Sequence, residues 1–184
     1  KAKDFIYNID QKPASIVHTC LALLERKGLL KAVITQNIDV LHQKGGSKRV
    51  VEVHGSPAYH YCLRCAGVRV SFEEAVAALN SGGYPVCPKC GQIVKPAITF
   101  FGEMLPADAL REAESLAHSS DLMLVLGTSL TVNPAAGIPR VTLRSGGEIV
   151  IVNNQPTPLD SAAVLRFDDL GSIFTAVQEA AQKV

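Results

Sequence analysis

Asp121-Leu122-Met123-Leu124-Val125-Leu126-Gly127-Thr128-Ser129 is an apolar run that stops on a glycine and two hydroxyls. An apolar run this short, with no polar alternation, fits a strand covered on both faces, as in a parallel sheet. Downstream, a helical pattern over 134–144 stops at Gly146-Gly147, and Ile149-Val150-Ile151-Val152 follows as a strand ending on Asn153-Asn154. Val164-Leu165-Arg166-Phe167 is the last strand, and Asp169 can cap the helix after it. Upstream, Pro106 to Ala117 reads as a helix with Leu110, Ala113, Leu116 and Ala117 inward. Pro13 opens an earlier helix with Ile16, Val17, Cys20, Leu21 and Leu24 on one face, and Gly28 supplies its stop. On that helix Cys20 reads as core filler and His18, one position off the apolar face, as a packing or capping residue. Residues 29–34 form a strand that ends at Thr35-Gln36-Asn37-Ile38-Asp39. A short helix or turn closes on Gly45-Gly46, and the strand Val50-Val51-Glu52-Val53 ends on His54-Gly55. Strands alternating with helices predict an α/β fold with a doubly wound parallel sheet.

Ligands of such sheets sit beyond the carboxyl ends of the strands. Five polar or glycine-bearing clusters fall at those ends: Gln36/Asn37/Asp39, His54, Phe101/Gly102/Glu103, Gly127/Thr128/Ser129 and Asn153. Together they predict a nucleotide-type site.

A second module interrupts this pattern. Cys62-Leu63-Arg64-Cys65 and Cys87-Pro88-Lys89-Cys90 are two knuckle pairs with residues 66–86 between them. Two such turns can complete a tetrahedron of thiolates around zinc, and four thiolates leave no position for water, so the metal is structural. The interval is slightly longer than usual, and Ser71-x-x-Glu74, a capping-box pattern, places an inserted helix there through Leu79, closed by Ser81-Gly82-Gly83. Gly67 and Gly91 let the backbone turn under the metal. Two disulfides, or four unrelated buried thiols, are the alternatives. An unpaired fifth cysteine and the lack of a secretory segment favour zinc, and with it a cytoplasmic setting. The predicted division is a parallel-sheet domain from 1–56 and 96–184 with a zinc module over 57–95, and 95–103 as a strand returning to the main domain.

Composition fits this organisation. The 184 residues are 47% hydrophobic and 19% charged, as in folded globular proteins. A net charge of +1 argues against a dedicated nucleic-acid binder, and Lys44, Lys48 and Arg49 are too few for a basic face. No run of 18 apolar residues offers a membrane span. The chain begins Lys1-Ala2-Lys3-Asp4, without methionine, and reads as the middle of something longer.

The ordered motifs resemble the sirtuins, the NAD-dependent protein lysine deacylases, and most closely their short-loop bacterial and archaeal members. Thr35-Gln36-Asn37-Ile38-Asp39 is similar to the family's TQNID motif and His54-Gly55 to its HG motif. The two knuckles, Phe100-Phe101-Gly102-Glu103, Gly127-Thr128-Ser129-Leu130 and Val152-Asn153 follow in the family's order. The resemblance implies a Rossmann-like sheet with an inserted zinc ribbon, NAD and zinc as cofactors, and an acyl-lysine protein or peptide as substrate, with release of nicotinamide and O-acyl-ADP-ribose. It makes His54 the base, and gives Gln36, Asn37, Asp39, Gly127, Thr128, Ser129 and Asn153 to the cofactor. Ile98, Thr99, Phe101, Gly102 and Glu103 fall to the substrate, with Phe101 walling an apolar tunnel and Gly102 and Glu103 pairing an extended peptide. Thr99 stands where the family usually has an apolar β-branched residue, which bears on acyl preference. The family's first strand and glycine-rich segments, GAGxS and GIPDFR, are not found in the sequence. A piece of a longer enzyme is therefore the expected reading, and a catalytically silent binding module the alternative.

Overall fold

The computed structural model describes residues 12–183; residues 1–11, part of the expected first domain, lie outside them. Ser15 opens the first helix of the described residues, α1 (Ile16–Arg26), where its N–H donates to His18 Nδ1 at 3.1 Å and its hydroxyl meets the same atom at 2.8 Å. His18 thus takes the place that Glu or Gln holds in a capping box. Cys20, Leu21 and Ala22 are the buried residues of α1, and burial pushes the Cys20 thiol up from its ordinary pKa. The chain leaves α1 through Gly28, at φ +73°, while the amides of Leu29 and Leu30 bond the Leu24 carbonyl. Those bonds keep Leu29 and Leu30 out of the strand predicted for 29–34. β1 (Val33–Thr35) starts only at Val33, and after α2 (Leu41–Lys44) it pairs in parallel with β2 (Val50–Glu52).

After β2 come β3 (Gly55–Tyr61), β4 (Arg69–Ser71), α3 (Phe72–Asn80) and β5 (Lys95–Ile98), followed by α4 (Ala107–His118) and β6 (Leu122–Leu126). A short 3₁₀ turn, Ala135–Gly137, leads into α5 (Ile138–Arg144), β7 (Glu148–Val152), β8 (Leu165–Phe167) and α6 (Leu170–Lys183). The predicted capping box is present at α3: Glu74 N–H donates to Ser71 Oγ at 3.1 Å, and Ser71 N–H to Glu74 Oε2 at 2.7 Å. Asp169 caps α6 by accepting from Ser172 N–H at 2.6 Å, as predicted.

Contacts divide the described chain into two units. The larger comprises Pro13–Gln36, Leu41–Val53 and the residues from Ala107 onward. Its strands are all parallel, in two ladders: β1–β2, and β6–β7–β8 with β7 in the middle. Among the described residues no strand joins the ladders, yet they share apolar cores. Val33 and Val50 pack with Leu126 around Phe174 of α6, while Ile34 and Val51 pack with Met123, Ala113 and Ala117. Complete burial of Phe174 contributes about 1.5–3 kcal/mol to that core. The apolar run that suggested a central strand, β6, is less buried than β7, whose residues Ile149–Val152 are all enclosed.

The smaller unit includes Asn37–Val40 and His54–Pro106. Its limits exceed the predicted 57–95 at both ends because β5 does not return to the parallel sheet. It pairs antiparallel with β3, which also carries β4, in a three-stranded sheet ordered β4–β3–β5.

Candidate functional site

Within the larger unit, the Gly127 and Asn153 clusters lie side by side. Leu126 faces Val152 in the parallel register, and Gly127 N–H donates to the Val152 carbonyl at 2.9 Å. That amide is spent on the ladder, so what Gly127 supplies is conformation, at φ +57° with a β-carbon's position only 3.4 Å from Leu170. Thr128 Oγ1 accepts from Leu130 N–H at 3.3 Å, and the Ser129 hydroxyl meets that of Thr131 at 2.7 Å. These bonds shape a tight loop in which Leu130, at φ +54°, is buried. Asn153 is the buried polar residue at the end of β7, its Nδ2 donating to the Gln155 carbonyl at 2.8 Å. Gln36 follows β1, half-buried, at the carboxyl end of its own ladder.

Arg166, which the sequence reading passed over, organises the Asn153 loop from β8. Its guanidinium donates to the carbonyls of Asn153 at 3.1 Å and Gln155 at 3.2 Å, and to Asp160 Oδ2 at 3.1 Å. It also pairs with Asp168. Thr157, through its hydroxyl and N–H, and then Arg166 hold the Asp160 carboxyl below its ordinary pKa. An arginine on a three-residue strand carries no local signal of this role.

Within the smaller unit, His54 sits at the turn into β3, half-buried. Gly55 has φ +77°, and a β-carbon there would overlap the Ala97 carbonyl oxygen and lie 3.1 Å from its carbon. Glycine is therefore demanded by β5 passing against the backbone. Gly55 faces Ile98 in the register, and Thr99 N–H donates to the His54 carbonyl at 2.8 Å. The fold thus brings His54 together with Ile98, which is buried, and Thr99. Asn37, exposed, and Asp39, half-buried, belong to the same unit, in a segment that ends at Val40 with φ 52°. A β-branched residue in that conformation is strained.

β5 ends at Ile98, and the predicted continuation to Glu103 is a turn instead. Glu103 N–H donates to the Phe100 carbonyl at 3.0 Å, and Phe100 N–H to Glu103 Oε2 at 2.9 Å. Gly102 takes φ +86° within it. The Phe100 N–H and then the Lys95 ammonium hold the Glu103 carboxyl below its ordinary pKa. Phe101 is fully exposed and Met104 nearly so, which rules out a core role for Phe101. Beside the turn lies a cavity of about 290 Å³ whose lining includes Tyr59, Tyr61, Ile98, Thr99 and Glu103.

The four knuckle sulfurs lie within 4.8 Å of one another, with Cys62 Sγ 3.6 Å from Cys90 Sγ. Tetrahedral zinc with bonds of about 2.3 Å puts its sulfurs about 3.8 Å apart. All four cysteines are free thiols, which excludes the disulfide alternative. The Cys65 N–H, donating at 3.2 Å, draws the Cys62 thiol down to about 7, while Cys90 alongside pushes the Cys65 thiol up to about 12. Thiols this crowded resist joint ionisation, and a divalent cation reverses that by supplying positive charge at their centre. The donor set fits zinc. Gly67 (φ +75°) and Gly91 (φ +71°) turn the knuckles as predicted.

A family model described as Sir2 family matches residues 2–134. An NAD-dependent protein deacetylase of Thermotoga maritima is 48% identical over 167 residues, covering 91% of this chain and 68% of that protein. An NAD-dependent protein deacylase 2 of Archaeoglobus fulgidus is 46% identical over 144 residues, covering 78% of this chain and 56% of its own length. The chain spans about three fifths of the length of several such relatives. Among solved structures, one described as Sir2Tm bound to a propionylated peptide superposes with a TM-score of 0.90 at 46% identity, over 100% of this chain and 77% of that one. Another, described as a Sir2–p53 peptide–NAD+ complex, gives 0.88 at 46% identity, covering 96% and 74% of the two chains.

Proposed function

The chain belongs to the Sir2 family, and we propose that the protein carrying it removes acyl groups from lysine side chains in an NAD-dependent reaction. The observation that carries this reading is the glycine-dependent contact at Gly55, which ties the backbone of His54 to the strand end bearing Ile98 and Thr99. An imidazole beside an apolar-lined strand end suits a base acting next to an acyl chain.

The cofactor residues fit their group on two counts: a buried amide at the end of β7, and a left-handed glycine beside it at the end of β6. Asn153 would hold the adenosine ribose, its amide having a second N–H to donate and an oxygen to accept. Gly127, Thr128 and Ser129 would border the phosphate and ribose, and Gln36 would add a ribose contact. Asn37 and Asp39 would receive the nicotinamide carboxamide, an amide and a carboxylate matching its donors and acceptors. NAD, when bound, supplies an electrophilic ribose carbon with nicotinamide as leaving group. His54 would accept a proton from a ribose hydroxyl at its imidazole nitrogen and hold it. Ile98 and Thr99 line the path of the acyl-lysine, and the exposed ring of Phe101 walls it against water. Gly102 lends its backbone to an extended peptide. Zinc takes no part in the reaction and holds the smaller unit's knuckles together. A cytoplasmic setting suits a cluster of four reduced cysteines.

The test incubates the protein with zinc, NAD and an acetyl-lysine peptide and follows the products by mass spectrometry. Formation of nicotinamide, free lysine peptide and O-acetyl-ADP-ribose in equal amounts supports the reading. Peptide binding with no NAD consumption favours a silent binding module and overturns it.

A further inference from the structure

Lys95 opens β5 at the far end from the site residues, yet its side chain runs along the strand to reach them. Only 15% of it is exposed. Its Nζ donates to the Ile98 carbonyl at 2.7 Å and pairs with Glu103 Oε2 at 2.9 Å. The same ammonium lies 4.5 Å from the centre of the Phe100 ring and 5.5 Å from that of Tyr61. One cation therefore joins the end of β5, the carboxylate that closes the Phe100–Glu103 turn, and two aromatic faces.

We propose that Lys95 is the positioning residue for acyl-peptide binding, holding the Phe100–Glu103 turn in the shape that presents Phe101 and Gly102. The proposal rests on the deacylase reading above. Glu103 Oε2 receives both the Phe100 N–H and the Lys95 ammonium, so the turn's closing bond is fixed to β5 through Lys95. Without the cation that carboxylate is free to swing to water, and Phe100 N–H loses its acceptor. Phe101, wholly exposed, has no packing of its own to restore its position. A guanidinium can make the same bonds, whereas a thioether of similar length cannot.

The experiment compares Lys95→Met, Lys95→Arg and Glu103→Met with the parent protein, zinc loaded, by hydrogen exchange and by steady-state kinetics. In Lys95→Met the amides of Phe100 and Glu103 exchange roughly tenfold faster or more, while those at the Cys87–Gly91 knuckle are unchanged. The KM for acyl-peptide rises roughly 5- to 20-fold, with kcat and the KM for NAD within about twofold. Lys95→Arg restores both readings, and Glu103→Met, which removes the acceptor for both donors but keeps the lysine's packing on the aromatic rings, reproduces the loss. Unchanged exchange in Lys95→Met refutes the clamp. Faster exchange with an unchanged peptide KM refutes its part in substrate binding. A parent protein that releases no nicotinamide overturns the deacylase reading instead, and the exchange arm still decides whether Lys95 holds the turn.

Discussion

Replacing Gly55 by alanine tests whether the close approach of β5 is what sets the backbone at His54. The residue has φ +77°, so any side chain costs about 1–2 kcal/mol for the left-handed conformation alone. The new β-carbon would also overlap the Ala97 carbonyl oxygen, a backbone atom that cannot rotate away, and would lie 3.2 Å from Ile98 Cα. β5 must retreat, and with it goes the Thr99–His54 hydrogen bond, about 1 kcal/mol. The stiffer unfolded chain returns about 0.4–1 kcal/mol. The net loss is about 2 kcal/mol, a fall in Tm of roughly 4–8 °C for a protein of this size. Gly82→Ala is the control, because Gly82 has φ +82° but nothing within 4 Å of a β-carbon. It bears the conformational cost without the collision, and its Tm should fall by half as much or less. Differential scanning calorimetry of both variants, with turnover on acetyl-peptide, gives the comparison. Equal destabilisation of the two variants, or full activity in Gly55→Ala, would show that the approach of β5 does not set the backbone at His54.

Zinc analysis of the purified protein is expected to give one metal per chain, and Cys62→Ser or Cys90→Ala to abolish it, since all four sulfurs share one small volume. Chelation should melt the smaller unit and stop turnover while the helical signal of the larger unit persists; unchanged thermal stability after complete metal removal would contradict a structural zinc. Acid stability follows from Asp160 and Asp169, both held below their ordinary pKa by hydrogen bonds in the folded chain. The unfolded chain therefore takes up protons first as pH falls, so these groups stabilise the fold above about pH 4 and lose that effect as pH drops through their folded values. Asp160→Asn combined with Asp169→Asn should flatten the decline in stability below pH 4 as followed by urea melts, and an unchanged slope would count against it.

Much of the larger unit was legible because local chemistry and tertiary structure agree there. The apolar 3.6-residue pattern of α1, Asp169 before α6 and Gly146 after α5 are signals that need no partner strand, although α1 starts behind Ser15 and not at Pro13. Gly55–Tyr61 went unread as a strand because Pro57 and the Gly-Ser opening argue for a loop. Pairing on both sides, with β4 and β5, overrides that local preference. The Phe100–Glu103 turn was hidden for the converse reason. Thr99-Phe100-Phe101 has strand propensity, but a carboxylate three residues on captures the Phe100 amide. Lys95 and Arg166 were missed because what they do depends on carbonyls and carboxylates gathered by the fold. His54 stood out through its motif, while the reason for the glycine beside it lies some forty residues downstream in Ala97 and only the structure shows it.

His54 is proposed as the base of an NAD-dependent deacylation. The most direct measurement is nicotinamide release by His54→Ala and the parent protein, both zinc loaded and shown to fold, with NAD and acetyl-peptide at saturation. Turnover is expected to fall roughly 10²–10⁴-fold with Tm unchanged. Turnover within threefold of the parent in His54→Ala would contradict it.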